Sequence, residues 1–441
     1  MLPVLLGSDL LLFLLLGIIV AGAVLAWRDP SRRAVWHRIG RRSLAMASAT
    51  VLALFLLVGL LDSVHYRLRL DQSAKGSPVY GVEVYSALDA LLMPLKRDTE
   101  KTYSAPLATR LFTKESAADG GLRDFPRLRF GGAHLGENEN LHMGDLGERT
   151  LRGLAGGILV WGIFFLLLGG GPGRTGVLSV LLVATLITGP AIALASGYHV
   201  FGTDKVGQDV LYLTLKSIRT GLLIGTLTTL VTVPLALGLG ILAGYAGGRV
   251  DDAIQYLYTT LNSIPGVLLI AAAVLMMQVM IDSHPDWFTT TAERADARLL
   301  ALCLILGMTS WTGLARLLRA ETLKLRELEY VQAARAFGVS SVAVMGRHIL
   351  PNLGHIVLIS LVMDFSNLVL AEAVLSYVGI GVDPSTISFG TMINAARLEL
   401  AREPMVWWSL VAAFSFMFVL VLAANLFADA IRDAFDPRAV N

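Results

Sequence analysis

Cysteine is all but missing: the 441 residues contain one, Cys303. A lone thiol closes no intrachain disulfide and makes no metal site by itself. Its place inside an apolar run is that of a small buried core residue. Charge is scarce too. Asp, Glu, Lys and Arg make up 16% of the chain, below the ~25% usual for soluble domains. The formal net charge is only +2, so nothing points to a nucleic-acid partner. The sequence has no G-x-x-x-x-G-K-[ST] string and therefore no P-loop. The glycine-rich stretch 169–176 (GGGPGRTG) lacks the lysine and reads as a tight turn. H-E-x-x-H and G-x-S-x-G are missing as well, and no repeat of 20–50 residues is visible.

Apolar residues are abundant. They form 55% of the chain, and the mean hydropathy is +0.65. Nine runs approach or exceed the ~20 residues that cross a bilayer: 10–26, 44–61, 154–168, 177–196, 222–245, 256–281, 299–318, 356–378 and 406–428. The expected fold is an all-α polytopic membrane protein. The first run has no Lys or Arg ahead of it, so it reads as a retained anchor rather than a cleaved signal. Arg28, Arg32, Arg33, Arg38, Arg41 and Arg42 crowd the loop that follows. By the positive-inside rule that loop is cytoplasmic and the N-terminus is outside. Counting onward places segment 62–153 outside, loop 317–354 inside and the C-terminus inside. Loop 317–354 carries Arg319, Lys324, Arg326, Arg335 and Arg347, which agrees with that count.

The polar segment 62–153 holds Pro78, Pro94, Pro106 and Pro126, with strand-like alternation over 79–85 (VYGVEVY). It reads as either a small α+β lobe or an irregular loop. Ser63, His65 and Asp71 are too scattered to form a triad. His134 and His142 with Glu137 and Glu139 are metal-ligand types, but a solvated loop is the plainer reading.

The densest pattern lies in 329–352 (EYVQAARAFGVSSVAVMGRHILPN). Tyr330, Ala333, Ala334 and Phe337 share one face of a short helix. Gly338 is placed to end it, Ser340 or Ser341 to cap a second helix, and Pro351 to close the unit. A short helix with a small-residue face suits docking into a groove on a partner.

This string resembles the "EAA" loop of ABC-importer permeases, with Ala333-Ala334, Gly338 and Leu350-Pro351 in place and Gln332 where the family usually has Glu. Three further strings resemble the dipeptide/oligopeptide/nickel class. These are Gly202-Thr203-Asp204-Lys205-Val206-Gly207-Gln208-Asp209, the LAEAVLSYVGIG run from Leu370 with Ser388-Phe389-Gly390 after it, and Arg432-Asp433-Ala434-Phe435-Asp436-Pro437-Arg438. Locally, Asp209 can cap the helix that follows it. Leu211, Leu215, Ile218 and Leu222 form a stripe on that helix with Lys216 and Arg219 off it, which suggests an interfacial helix.

The resemblance implies a MetI-like permease core at 200–438, with its coupling loop at 317–354. It implies added spans at 1–61, an extracytoplasmic segment at 62–153, and two spans at 154–196, the second matching the family's first. The implied function is a transport subunit, not an enzyme, that imports peptides, or alternatively nickel or a metal chelate. The implied location is the inner membrane. The implied partners are a second permease, two ABC ATPases that bind the ATP and Mg, and an extracytoplasmic solute-binding protein. No cofactor is implied for this chain. The ATPase-coupling residues would be Glu329, Tyr330, Gln332, Ala333, Ala334, Phe337, Gly338 and Pro351. Asp364, Asn367 and Glu372 sit in an apolar run, where an ionised acid costs ~2.5–3.5 kcal/mol. They either line a pathway or make interhelical hydrogen bonds. From another class, a membrane-embedded enzyme with its site in 62–153 is the rival, although that segment shows no catalytic constellation.

Overall fold

The computed structural model describes residues 2–435 apart from 29, 71–78, 116–122, 137, 170, 172 and 289. Asp71, Glu137 and the closing Asp436-Pro437-Arg438 thus lie outside the described residues, as do Pro78 and parts of the 169–176 turn. The chain is mostly helical. In order come β1 (Leu2–Val4), α1 (Gly7–Arg28), α2 (Pro30–Arg41) and α3 (Ser43–Ser63). Four short strands follow, β2 (His65–Arg67), β3 (Arg69–Leu70), β4 (Val79–Tyr80) and β5 (Tyr85–Ser86), then the short helices α4 (Ala87–Leu91) and α5 (Met93–Arg97). The long helices α6 (His142–Leu168), α7 (Arg174–Ala195) and α8 (Val210–Ala246) come next, then α9 (Gly248–Ser263), α10 (Gly266–Ser283) and α11 (Thr291–Leu325). The chain continues with α12 (Glu329–Ala336), α13 (Ser341–Val344), a π-turn (Met345–Ile349), α14 (Leu350–Tyr377), α15 (Phe389–Glu399) and α16 (Trp408–Phe435).

Among the described residues, eight helices are long and apolar enough to cross a membrane: α3, α6, α7, α8, α10, α11, the continuous α13–α14 stretch, and α16. The remaining expected span corresponds to α1, whose apolar part is Gly7–Gly22. The sequence expectations are revised in several places. The run 256–281 is broken near Pro265. Ile264 before it is extended (φ −91°, ψ 131°), as a residue preceding proline favours. Its first part therefore belongs to the amphipathic α9. The short run at 154–168 extends back to His142, because Asp145–Arg149 and Glu148–Arg152 pair at i,i+4 on the added turns. Segment 79–85 forms no single strand, since a bend at Val82 and Glu83 separates β4 from β5.

The chain divides into two compact units. The first comprises Met1–Leu5, Trp36–Gly221 and Pro384–Leu426, and the second Leu6–Val35, Leu222–Asp383 and Phe427–Asn441. In the first unit, β1, β2 and β5 form an antiparallel sheet with Leu2 opposite Arg67 and His65 opposite Ser86. In the same unit, α6 and α7 pack through glycine. A Cβ on Gly157 would lie 2.3 Å from the Thr185 carbonyl oxygen, and one on Gly189 2.3 Å from that of Gly153. Gly153 and Gly157 form a G-x-x-x-G pair, which lets two backbones approach at a distance no larger residue permits. Gly176 makes the same kind of approach to α3, where a Cβ would meet the Ser43 oxygen at 1.9 Å.

At about 1.5 Å per residue, the 37 residues of α8 run roughly 55 Å, longer than the ~30 Å hydrocarbon core. The expected interfacial helix is therefore not a separate element: its residues are the first turns of one unbroken helix. Asp209 caps that helix as expected, accepting from the Leu211 and Tyr212 N–H groups at 2.8 and 3.2 Å. Lys216 is not an interfacial cation but is paired with Asp62 (2.6 Å) and Asp89 (3.1 Å). In the second unit, Cys303 is buried on α11, as its apolar setting implied. Near the start of α1, the Ser8 N–H donates to Asp296 of α11 at 3.1 Å.

Candidate functional site

The loop after α11 is built by local chemistry. Leu328 precedes the eight residues of α12, and Phe337 follows as the last residue with near-helical backbone. Gly338 has φ +77°, in the left-handed region that glycine enters without strain. The Gly338 N–H donates to the Arg335 carbonyl at 3.0 Å, and the Val339 N–H to that of Ala334 at 3.1 Å. These are the two bonds of a Schellman closure. Ser340 then caps the next helix, its Oγ accepting from the Ala343 N–H at 3.4 Å. Pro351 does not end the unit as the sequence reading proposed. It sits in the first turn of α14, directly after the π-turn Met345–Ile349, and the helix runs on to Tyr377.

One residue anchors α12. Val331 is fully buried and joins Ile254, Tyr258, Leu314, Leu318, Val344 and Ile349 in the core of the second unit. Ala334 is half-buried and packs against that core, so it belongs to the seat rather than to the outer face. Tyr330 and Ala333 are exposed, and Phe337 is 88% exposed. The Asn352 amide donates to the Tyr330 hydroxyl at 3.0 Å, which ties the outer face to α14. Gln332 bonds back to Glu327 through its amide, at 3.2 Å to the carbonyl and 3.3 Å to the carboxylate. Glu329 is exposed in the first turn.

Charged groups fix the floor beneath. Arg319 grips Asp251 of α9 with two bonds of 2.5 and 2.6 Å, a bidentate geometry that fixes orientation as well as charge. The Arg319 hydrogen bond outweighs partial burial and holds the Asp251 carboxyl below its ordinary range. Arg326 donates to the Gly244 carbonyl at 3.2 Å, and the Arg335 guanidinium lies 5.6 Å from the centre of the Tyr245 ring. The Thr312 hydroxyl donates to Asn262 of α9 at 3.0 Å.

The intramembrane polar residues do not share one environment. Glu372 is buried and accepts from the Ser376 hydroxyl at 2.7 Å. Asp364 is half-buried, and Asn367 is exposed on α14. His134 is bonded to Asp145 at 2.8 Å and His142 to the Leu107 carbonyl at 3.0 Å, so each ring is engaged by the protein itself.

Residues 236–441 match the family described as the inner membrane component of binding-protein-dependent transport systems. The chain is 30% identical over 239 residues to the oligopeptide transport system permease protein of Mycobacterium tuberculosis (strain ATCC 25618 / H37Rv), covering 54% of this chain and 76% of that protein. The chain belongs to this family.

A putative peptide permease protein of Brucella suis biovar 1 is 34% identical over 242 residues, 55% of this permease and 74% of that protein. The dipeptide transport system permease protein of Lactococcus lactis subsp. cremoris is 30% identical over 241 residues, 55% of this chain, and the match spans 64% of its length. The α12 loop falls within the family match, while residues 1–235 lie outside it. The sequence reading of the permease missed Val331 and the Asp251–Arg319 pair. A single inward valine in an eight-residue helix gives no periodic signal. Partners 68 residues apart give no local pattern.

Proposed function

We propose that this permease is the second, C-type membrane subunit of an ATP-driven importer of peptides. The observation that carries the reading is the α12 loop. It is a short helix seated by Val331, closed by Gly338, and left with an aromatic ring almost wholly in solvent. Such an apolar projection fits a partner's groove. The peptide relatives support the substrate class.

In this reading two separate ATPase subunits bind ATP and Mg, and one receives Tyr330, Ala333 and Phe337. Glu329 and Gln332 rim the contact, Ala334 seats it, Gly338 closes it, and Pro351 lies in the first turn of the α14 helix that follows. The chain itself has neither an ATPase site nor a cofactor. A homologous permease completes the pathway, and an extracytoplasmic binding protein delivers substrate. Helix runs without a break from Ser341 to Tyr377. A push on α12 is thereby passed to a span that biases outward against inward access. Asn367 and Asp364 are proposed to face the pathway, and Glu372 to hold helix packing. In this reading the N-terminus is outside and the C-terminus inside, which the arginine-rich loops support. Residues 1–61 are added spans, 62–153 an external segment, 154–196 two further spans, and 200–438 the permease core.

The test is co-purification and transport. The tagged full-length chain should bring down a P-loop ATPase and a second permease, and the assembly should take labelled tripeptide into proteoliposomes with ATP. Gly338→Trp meets open space within the chain, so its internal cost is the ~1–2 kcal/mol of a left-handed backbone. It should leave the membrane assembly intact and uncouple hydrolysis from uptake. Normal uptake by that variant would remove the coupling role.

A further inference from the structure

A cavity of about 460 Å³ opens within the first unit, in the size range of small-molecule sites. Its polar lining includes Tyr103, Asp204, Lys205, Thr391, Glu399 and Arg402, and its apolar lining includes Leu213, Ile387, Met392 and Leu398. The capping box of Ser388 and Thr391 starts α15, and Glu399 is that helix's last residue.

Two buried polar groups on this cavity lack partners. Glu399 is 4% exposed. Its Oε1 accepts from the Tyr103 hydroxyl at 3.1 Å, while its Oε2 has no hydrogen-bond partner. Ser409, also lining the cavity and buried, has an unpartnered Oγ. Buried polar atoms are nearly always satisfied, so each such exception asks for an occupant. Burial raises the Glu399 carboxyl above its ordinary value, the hydrogen bond from Tyr103 lowers it, and neighbouring Asp204 raises it further. Arg402 stacks 5.0 Å from the centre of the Tyr103 ring, and Lys205 is exposed.

We propose that this cavity binds a small zwitterion through its primary ammonium, either a free α-amino acid or the amino-terminal residue of a short peptide. An ammonium carries three donors and no acceptor. Glu399 Oε2, Asp204 and Ser409 Oγ supply acceptors for them. The carboxylate, or the next peptide group, faces Lys205 and Arg402, and an apolar side chain meets Leu213, Met392 and Leu398. In the transport reading, the cavity would hold the substrate's amino terminus outside the membrane. The site does not depend on that reading, because it is tested by direct binding.

The experiment is titration calorimetry on the full-length chain purified in detergent, with L-leucine, L-leucyl-L-alanine and N-acetyl-L-leucyl-L-alanine as probes. At least one amine-bearing probe should bind, and acetylation should weaken binding at least tenfold. Leucine as the tighter probe marks an amino-acid site, and the dipeptide as the tighter probe a peptide site. Glu399→Gln should weaken binding at least tenfold. Met392→Trp, which fills the cavity with Glu399 intact, should do the same and serves if Glu399→Gln does not fold. Three results would overturn the proposal: neither amine-bearing probe binds at millimolar concentration, the acetylated dipeptide binds equally well, or the folded variants keep wild-type affinity. None of these would alter the co-purification result on which the transport reading stands.

Discussion

His199 gives the sharpest stability prediction. It is 4% exposed in the first unit, between two carboxylates. Its Nδ1 lies 2.8 Å from Asp209 Oδ2 and its Nε2 3.5 Å from Glu100 Oε1. Asp209 is also the cap of α8, and Glu100 accepts the N–H groups of Arg129, Phe130 and Gly131 at 2.8, 2.8 and 3.1 Å. Burial pulls the imidazolium down, but the hydrogen bond to Asp209 and the attraction of both nearby carboxylates, Asp209 and Glu100, carry it up to about 9. The ordinary value is 6.5. At ~1.4 kcal/mol per pH unit, that difference corresponds to about 3 kcal/mol of folding stability. Because the folded value is raised, the contribution is complete below pH 6.5 and is lost as pH climbs through 9. Glu100 runs the other way. Burial raises it, but His199 and the three N–H groups bring it to about 2. Its contribution is complete above pH 4.5 and is lost as pH falls toward 2. Thermal unfolding of the full-length protein in detergent, followed by tryptophan fluorescence from pH 6 to 9.5, reads the His199 part. Wild type should lose several degrees across that range. His199→Gln should start lower at pH 6 and stay nearly flat. A variant with the wild-type slope would refute the reasoning.

Two further outcomes follow from the packing. Val331→Ala removes two buried carbons and should cost about 2 kcal/mol with its cavity. The loss should fall on α12, so hydrogen exchange at Glu329–Ala336 should quicken while α11 and α14 keep their protection. Gly157→Leu drives a side chain into the Thr185 carbonyl, which its Cβ would meet at 2.3 Å. It should destabilise the α6–α7 hairpin by about 3 kcal/mol, read as faster proteolysis after residue 141 than in Gly156→Leu, where a Cβ meets nothing.

Local chemistry was legible in the sequence. Gly338, the Ser340 cap and the Asp209 cap each act within a few residues, and the structure places each as read. The spans were legible because bilayer thickness sets their length, and the errors came where charge or proline cut across hydropathy. The start of α6 is hidden by polar residues, although its i,i+4 pairs were there to be counted. Pro265 breaks the sixth run, yet a hydropathy window passes over it. Long-range pairing was not legible. Lys216 finds Asp62 and Asp89, and His199 finds Glu100, at separations where sequence spacing carries no geometry. Glu399 carries no signal in the sequence, because Tyr103, its hydrogen-bond partner, lies 296 residues away. The inward turn of Ala334 shows the limit within the loop itself. A face read from spacing says which residues travel together, not which way they point.

The central claim is that the outer face of α12 sits in an ATPase cleft, and disulfide trapping tests it directly. Cys303 is the chain's one cysteine and is buried, so Phe337→Cys introduces the single accessible thiol. Co-expressed with cleft-cysteine variants of the co-purifying ATPase, it should form a crosslinked permease–ATPase band on mild oxidation, with a yield that changes when ATP is added. An assembly that co-purifies intact but yields no such band, while a thiol at exposed Val342 crosslinks in its place, would contradict the account.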